Sequence, residues 1–232
     1  MQLTFASYNI HKGIGVDGRR DADRIVTVLR EINADVIALQ ECDYRFGERE
    51  SVLPKAMLDD TPWRAAPVNK RARSLGWHGN ALLVRRDIEI ADAHPLELPT
   101  LEPRGAVRAD LRIGGHYMRV IGMHLDLSGL RRRDQIRAIL RHCDDCEAAC
   151  PTVMMGDFNQ WGRANGVLRE FTEGWEAPNI GNSFPSRRPI APLDRIIHSH
   201  DWSCQSVGVH HSALAAAASD HLPVKATLEL TA

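Results

Sequence analysis

Apolar residues along this chain come mostly in short blocks of strand length. Gln2-Leu3-Thr4-Phe5-Ala6 alternates polar and apolar, the period-two pattern of a half-buried strand. Val36-Ile37-Ala38-Leu39, Ala81-Leu82-Leu83-Val84 and Val153-Met154-Met155 are unbroken apolar runs, as buried strands are. Residues 88–98 read as extended, and Glu102-Pro103-Arg104-Gly105 as a turn into a strand over Ala106–Ile113. Gly114-Gly115 then suits a hairpin into Tyr117–Met123. Further strands are expected at Leu193–Ile197, at 202–210, and from Val224 to about Leu230. Helical spacing is clearest at Ile25, Val28, Leu29 and Ile32, with Asp21 or Asp23 as the N-cap. Shorter or weaker helical patterns cover residues 51–59, with Pro54 in the first turn, Arg131–Ala148 and Ala164–Phe171. Residues 64–76 and 174–192 read as loops. With no internal repeat and no linker, the pattern predicts one domain spanning 1–232.

The chemistry sits where these strands stop. Val153-Met154-Met155 breaks at Gly156 and delivers Asp157, Phe158 and Asn159. Two residues apart, Asp157 and Asn159 can face one way while Phe158 packs the other. An amide donor toward a phosphate oxygen beside a carboxylate that positions a nucleophile or metal would suit a phosphoester. The duller reading is an Asp/Asn turn. Repetition weighs against it: the run 36–39 exits into Gln40-Glu41, the first strand into Asn9, Tyr117–Met123 into His124, while Asn80, Asp194, Asp220 and His221 stand at other strand ends. In layered α/β folds ligands gather where strand ends meet loops.

Composition narrows the partners. Apolar residues make up 44% and charged residues 25% of 232, ordinary for a globular protein with a sizeable core. A formal net charge of −1 gives no global field for nucleic acid, so a polyanion would be held by local arginines and a metal. No secretory signal and no membrane-length apolar run are visible. Five scattered cysteines suit reduced thiols and a cytoplasmic setting. Cys143, Cys146 and Cys150 share a helical spacing beside His142, but no second ligand pair accompanies them, so small packed helix residues are the better reading than zinc.

The order of the motifs resembles the endonuclease/exonuclease/phosphatase family of metal-dependent phosphoesterases related to deoxyribonuclease I. The matching stretches are YNIH at 8–11, LQE at 39–41, GN at 79–80, MHL at 123–125, GDFN at 156–159, LDRI at 193–196 and SDHLP at 219–223. HKGIGVDGR, EPRGAV and SFPSRRP are similar to a compact bacterial subgroup. The resemblance implies a four-layer α/β sandwich, two mostly antiparallel sheets packed face to face with helices outside. It implies Glu41 as the principal Mg²⁺ or Mn²⁺ ligand, with Asn9 close and Asp220 on a second ion or acting through water. His221, oriented by Asp194, would meet the phosphate. Asp157 and Asn159 would position the attacking water and the phosphoryl oxygen. His124 resembles the second histidine of the nuclease and sphingomyelinase branches. Where the nuclease branch supplies that histidine with a carboxylate, this chain has Asn80. Asn80, Arg104 and His11 are further candidates for phosphate contact.

The implied activity is hydrolysis of a phosphodiester or phosphomonoester by in-line water attack. A DNA or RNA nuclease of the same fold and a non-catalytic phosphate-binding module are the alternatives. Lys70-Arg71-Arg73, Arg131-Arg132-Arg133 and Arg187-Arg188 are the candidate phosphate-tracking clusters of a nuclease. The chain's shortness leaves little for DNA-gripping insertions, so phospholipid head groups and small phosphoesters stand beside nucleic acid as substrates.

Overall fold

The computed structural model describes residues 1–100, 104–144, 150–162 and 166–231. Among the described residues twelve strands form two six-stranded sheets. The first contains β1 (Gln2–Asn9), β2 (Val36–Gln40), β3 (Trp63–Ala65), β4 (Ala81–Arg85), β11 (Trp202–Val209) and β12 (Val224–Leu230), in the order β11-β12-β1-β2-β4-β3. The second contains β5 (Glu89–Leu96), β6 (Gly105–Ile113), β7 (His116–His124), β8 (Thr152–Asp157), β9 (Trp175–Glu176) and β10 (Asp194–Ser199), in the order β5-β6-β7-β8-β10-β9. Each sheet has one parallel pair at its centre, β1 with β2 and β7 with β8; the other pairs are antiparallel.

Three buried clusters explain the continuous apolar runs. Alternate residues of one strand point to opposite faces. Val36 and Ala38 therefore join the core between the sheets, with Phe5, Leu82, Val120, Val153 and Met155. Ile37 and Leu39 instead face α1 (Ala22–Ile32), meeting Ile25, Val28, Leu29 and Ile32 in a second core. Met154, Ile121 and Met123 face outward from the second sheet onto Ile136 and Ile139 of α3 (Gly129–Asp144). Sheets covered on both faces need apolar residues at consecutive positions. The result is the expected four-layer sandwich, helix, sheet, sheet, helix.

Local chemistry sets the boundaries. Asp21, not Asp23, caps α1: its carboxylate accepts from the Arg24 N–H at 3.0 Å, and Asn33 closes the helix in a left-handed conformation. Within 51–59 the helix is α2 (Lys55–Asp59), with Pro54 as its N-cap residue. Trp63–Ala65 form β3, which takes in the first two residues of the loop expected over 64–76, and Ala213–Ala218 form α4, capped by the Ser212 hydroxyl on the Ala215 N–H. Among the described part of 164–171 the chain forms a 3-10 helix, Gly166–Glu170. Cys146 and the end of the helix expected to reach Ala148 lie outside the described residues; Cys150 stands just before β8. No helix among the described residues is long and apolar enough to cross a membrane.

Candidate active site

The two parallel pairs and their antiparallel neighbours deliver polar residues to one end of the sandwich. β1 and β2 run together, with Asn9 opposite Gln40, so Asn9 and Glu41 emerge side by side. β7 and β8 likewise place His124 opposite Asp157. Antiparallel strands arrive there by their first residues. Asp194 opens β10 opposite Asp157, Asn80 precedes β4, and Asp220-His221 precedes β12. Contacts between β1 and β8 and between β1 and β10 bring the two sets together.

Asp157 is the hub. It is 2% exposed and accepts from the Asn9 amide (Nδ2 to Oδ2, 3.1 Å) and the Asn159 backbone N–H (2.8 Å). His124 Nε2 lies 3.3 Å and His221 Nε2 3.8 Å from the same Oδ2. Burial alone would raise its pKa, but these partners, His124 foremost, hold the carboxyl well below the usual carboxylate range. Gly156 makes the approach possible, because a Cβ there would lie 1.9 Å from the Met123 carbonyl oxygen of β7.

Behind His221 stands Asp194, whose Oδ2 is 2.8 Å from Nδ1 and also accepts from the Ser183 hydroxyl at 2.5 Å. Burial pushes the Asp194 carboxyl up, and the imidazole and Ser183 pull against it. Burial works against the charged imidazole too, but Asp194 first, then Asp157 and Asp220, overcome it and raise the His221 pKa to about 10. We therefore take the pair as an imidazolium on a carboxylate. Asp194 is not a surface partner of Arg195, whose guanidinium donates to the Gln160 and Gly162 carbonyls.

Glu41 lines the same cleft as His124 and has a backbone φ of 55°. His11 and Lys12 also have positive φ, 46° and 55°, and Asn159 has 50°. Such conformations cost on the order of 1–3 kcal/mol in a non-glycine residue and cluster where function needs them. The left-handed turn brings the Lys12 ammonium onto the Glu41 carboxylate, while the His11 N–H donates to Asn9 Oδ1 at 3.1 Å and the His11 ring lies 3.7 Å from Asp220. Glu41, Asn9 and Asp220 thus surround one turn. Burial tends to raise the Glu41 pKa, but His124, Lys12 and His11 lower it overall.

Two groups of side chains have donor chemistry for a divalent cation. Asp157, Asp194 and His221 offer ligand atoms within 4.8 Å of one another. In that trio His221 Nδ1 is bonded to Asp194, while Asp194 Oδ1 is buried without a hydrogen-bond partner among the described residues. Glu41, Asn9 and Asp220 are hard oxygen donors, chemistry that suits a divalent cation such as Mg²⁺ or Mn²⁺, and a tethered cation, Lys12, lies against Glu41.

The remaining candidates separate. Asn159 donates its amide to the Leu125 carbonyl at 2.9 Å. Arg104 donates to the same carbonyl at 2.9 Å and touches His124 Nε2, a nitrogen that can donate to Asp157 or accept from Arg104 but not both. Asn80 departs from expectation. It is fully buried, and its amide donates to the Trp77 and His78 carbonyls, shaping the Gly79 loop; the carboxylate beside His124 is Asp157. Beyond Glu41 and His124 an open cleft with about 490 Å³ of empty space is lined by Lys12, Arg45, Arg49, His78 and Arg104. Sequence reasoning assigned nothing to Ser183, or to Phe184, whose ring lies 4.8 Å from that of His221. Their only signal was the stretch SFPSRRP.

The sequence profile of the Endonuclease/Exonuclease/phosphatase family matches residues 6–221. The chain belongs to that family. Its members are divalent-metal-dependent hydrolases of phosphoesters. The uncharacterized protein YbhP of Escherichia coli strain K12 is 28% identical over 210 residues, covering 81% of each chain. The fold is shared with the mannosyl-6-phosphatase Bt3783 of Bacteroides thetaiotaomicron (TM-score 0.74, 18% identity, 98% of this chain and 100% of that one). It is shared equally with D. rerio TDP2 complexed with a single-strand DNA product (TM-score 0.74, 15% identity, 98% and 99%).

Proposed function

We propose that this endonuclease/exonuclease/phosphatase protein hydrolyses a phosphodiester or phosphomonoester by in-line attack of water, with Mg²⁺ or Mn²⁺ held by Glu41 beside Asn9 and Asp220. The observation that carries the reading is the convergence of Asn9, His124 and His221 on the buried Asp157 carboxylate. A structural turn has no use for two imidazoles and an amide on one carboxylate.

When bound, the ion neutralises charge on the phosphoryl group and the leaving oxygen. Asp157, ionised, positions the attacking water and accepts its proton as the bond to phosphorus forms. His221, charged and fixed by Asp194, meets the non-bridging oxygens where negative charge builds. Asn159 and His124 complete that clamp, and the phosphorus–oxygen bond to the leaving group breaks opposite the water. Lys12 neutralises Glu41, the carboxylate that would hold the ion.

The test is a Mg²⁺- and Mn²⁺-dependent activity screen over nucleic acids, phospholipids, inositol phosphates and bis-p-nitrophenyl phosphate, paired with calorimetry. Glu41→Ala is expected to lose metal affinity and on the order of 10²-fold or more in turnover. Unchanged affinity in Glu41→Ala, with loss in Asp157→Asn, would move the ion to the Asp157–Asp194–His221 trio.

A further inference from the structure

Among the described residues six large hydrophobic side chains are exposed: Phe46, Tyr117, Leu127, Leu130, Trp161 and Ile190. Tyr117 stands at the far end of β7. The other five all lie at the active-site end. Phe46 follows Glu41, Leu127 and Leu130 follow His124, Trp161 follows Asn159, and Ile190 precedes Asp194. Three of them, Leu127, Trp161 and Ile190, stand on loops and Leu130 stands in the first turn of α3, and these segments are tied together. The Arg132 guanidinium donates to the Leu127 carbonyl at 2.6 Å and reaches Gln160 Oε1 at 3.4 Å, next to Trp161. The Trp161 ring meets Phe184 edge-on at 6.2 Å, and the Ile190 N–H donates to the Phe184 carbonyl at 2.8 Å. Phe184 in turn packs on His221, so this rim borders the site.

Arginines alternate with these side chains. Arg131 and Arg133 follow Leu130 at the start of α3, and Arg187 and Arg188 precede Ile190. None of the four forms an ion pair among the described residues. On a chain of net charge −1 this is a local positive surface, not a general excess. Contiguous exposed hydrophobics are kept out of water-facing surfaces unless something covers them. Apolar side chains interleaved with unpaired arginines have the chemistry of a lipid–water interface, where the apolar groups enter the boundary layer and the cations meet anionic head groups. Single-stranded nucleic acid would be served by the arginines, but bases stack on aromatic rings, and Leu127, Leu130 and Ile190 offer none.

We propose that this rim docks the active-site face on an anionic phospholipid bilayer, with Leu127, Leu130, Trp161 and Ile190 in the interfacial layer and Arg131, Arg133, Arg187 and Arg188 on the head groups. A second part rests on the proposed function: docked in this way, the cleft meets the phosphoester of a lipid head group, which becomes the substrate class.

Vesicle co-sedimentation tests the docking. Wild-type protein should bind vesicles of mixed phosphatidylcholine and phosphatidylglycerol, bind phosphatidylcholine alone weakly, and release with rising salt. The double variant Leu130→Asp/Ile190→Asp should bind the mixed vesicles about tenfold or more weakly, and Arg187→Ala/Arg188→Ala several-fold more weakly. Equal binding by wild type and the aspartate variant would overturn the docking. So would absent binding by wild type, or vesicle binding unchanged while the variants lose affinity for a single-stranded oligonucleotide. The aspartate variant should hydrolyse bis-p-nitrophenyl phosphate like wild type, which also shows that it folds. Vesicle binding without hydrolysis of any phosphoester would sink the proposed function and leave the docking standing. Hydrolysis of the soluble ester by a protein that ignores vesicles would do the reverse. Release of phosphate or head group from bound vesicles checks the second part, and binding without release contradicts it.

Discussion

His221 sits among three carboxylates, Asp194 in hydrogen-bond contact and Asp157 and Asp220 nearby, and its side chain is 7% exposed. Its folded-state pKa, about 10, exceeds the ordinary value of 6.5. A basic group raised in this way stabilises the fold fully below its unfolded pKa, and that contribution is lost as pH rises through the folded value. In metal-free buffer, wild-type protein should therefore lose thermal stability progressively from about pH 6.5 towards 10. His221→Gln should melt lower at neutral pH but with a flatter profile across the same range. Parallel profiles for the two proteins would show that His221 is not charged in the fold. That His221 would meet Asp194 was expected from the family resemblance, and the two side chains are indeed 2.8 Å apart. The neighbours Ser183 and Phe184 were not legible. They come from the loop 174–192, where no period links a residue to its spatial partner.

The strands are where sequence and structure agree most closely, for a physical reason. Strands such as β2 and β8, covered on both faces, are apolar through their middles, so their ends are marked by the return of polar residues, Gln40-Glu41 and Asp157, and the candidate site residues stand there. Shorter elements carry no such mark. β3 has three residues and opens on a single buried Trp63, and α4 reads as a run of alanines until Ser212 is seen to cap it. Asn80 shows the limit at single positions. Adjacency to β4 placed it at the correct end, but only the fold reveals that its side chain turns inward to backbone carbonyls. Gly156 is the element-scale constraint most open to test. β8 passes so close to β7 that a methyl group there would collide with the Met123 carbonyl. Gly156→Ala is expected to cost about 2 kcal/mol or more in a denaturant melt, and to displace Asp157, the next residue, with loss of activity. A variant with wild-type stability and turnover would mean that the strands separate more easily than this packing allows.

At the scale of the whole molecule, the site exists only because two sheets pack. The first supplies Asn9, Glu41, Asp220 and His221; the second supplies His124, Asp157, Asn159 and Asp194. Contacts across the seam, Asn9 to Asp157 and His221 to Asp194, join the halves. That is why the motifs span nearly the full length of the chain, and why the family match runs from residue 6 to 221. The sheet order that brings residues 194 and 221 within a hydrogen bond was accessible from the sequence only through the family resemblance, because spacing alone does not pair strands across a seam. The cross-seam pair also gives the most direct test of the account. In Mg²⁺- or Mn²⁺-dependent hydrolysis of bis-p-nitrophenyl phosphate, Asp194→Asn should retain the fold and depress turnover by on the order of 10²-fold. Asp194→Asn combined with His221→Ala should be little worse than His221→Ala alone, because residues acting as one unit are not additive. Multiplying losses, or a fully active Asp194→Asn, would contradict the account.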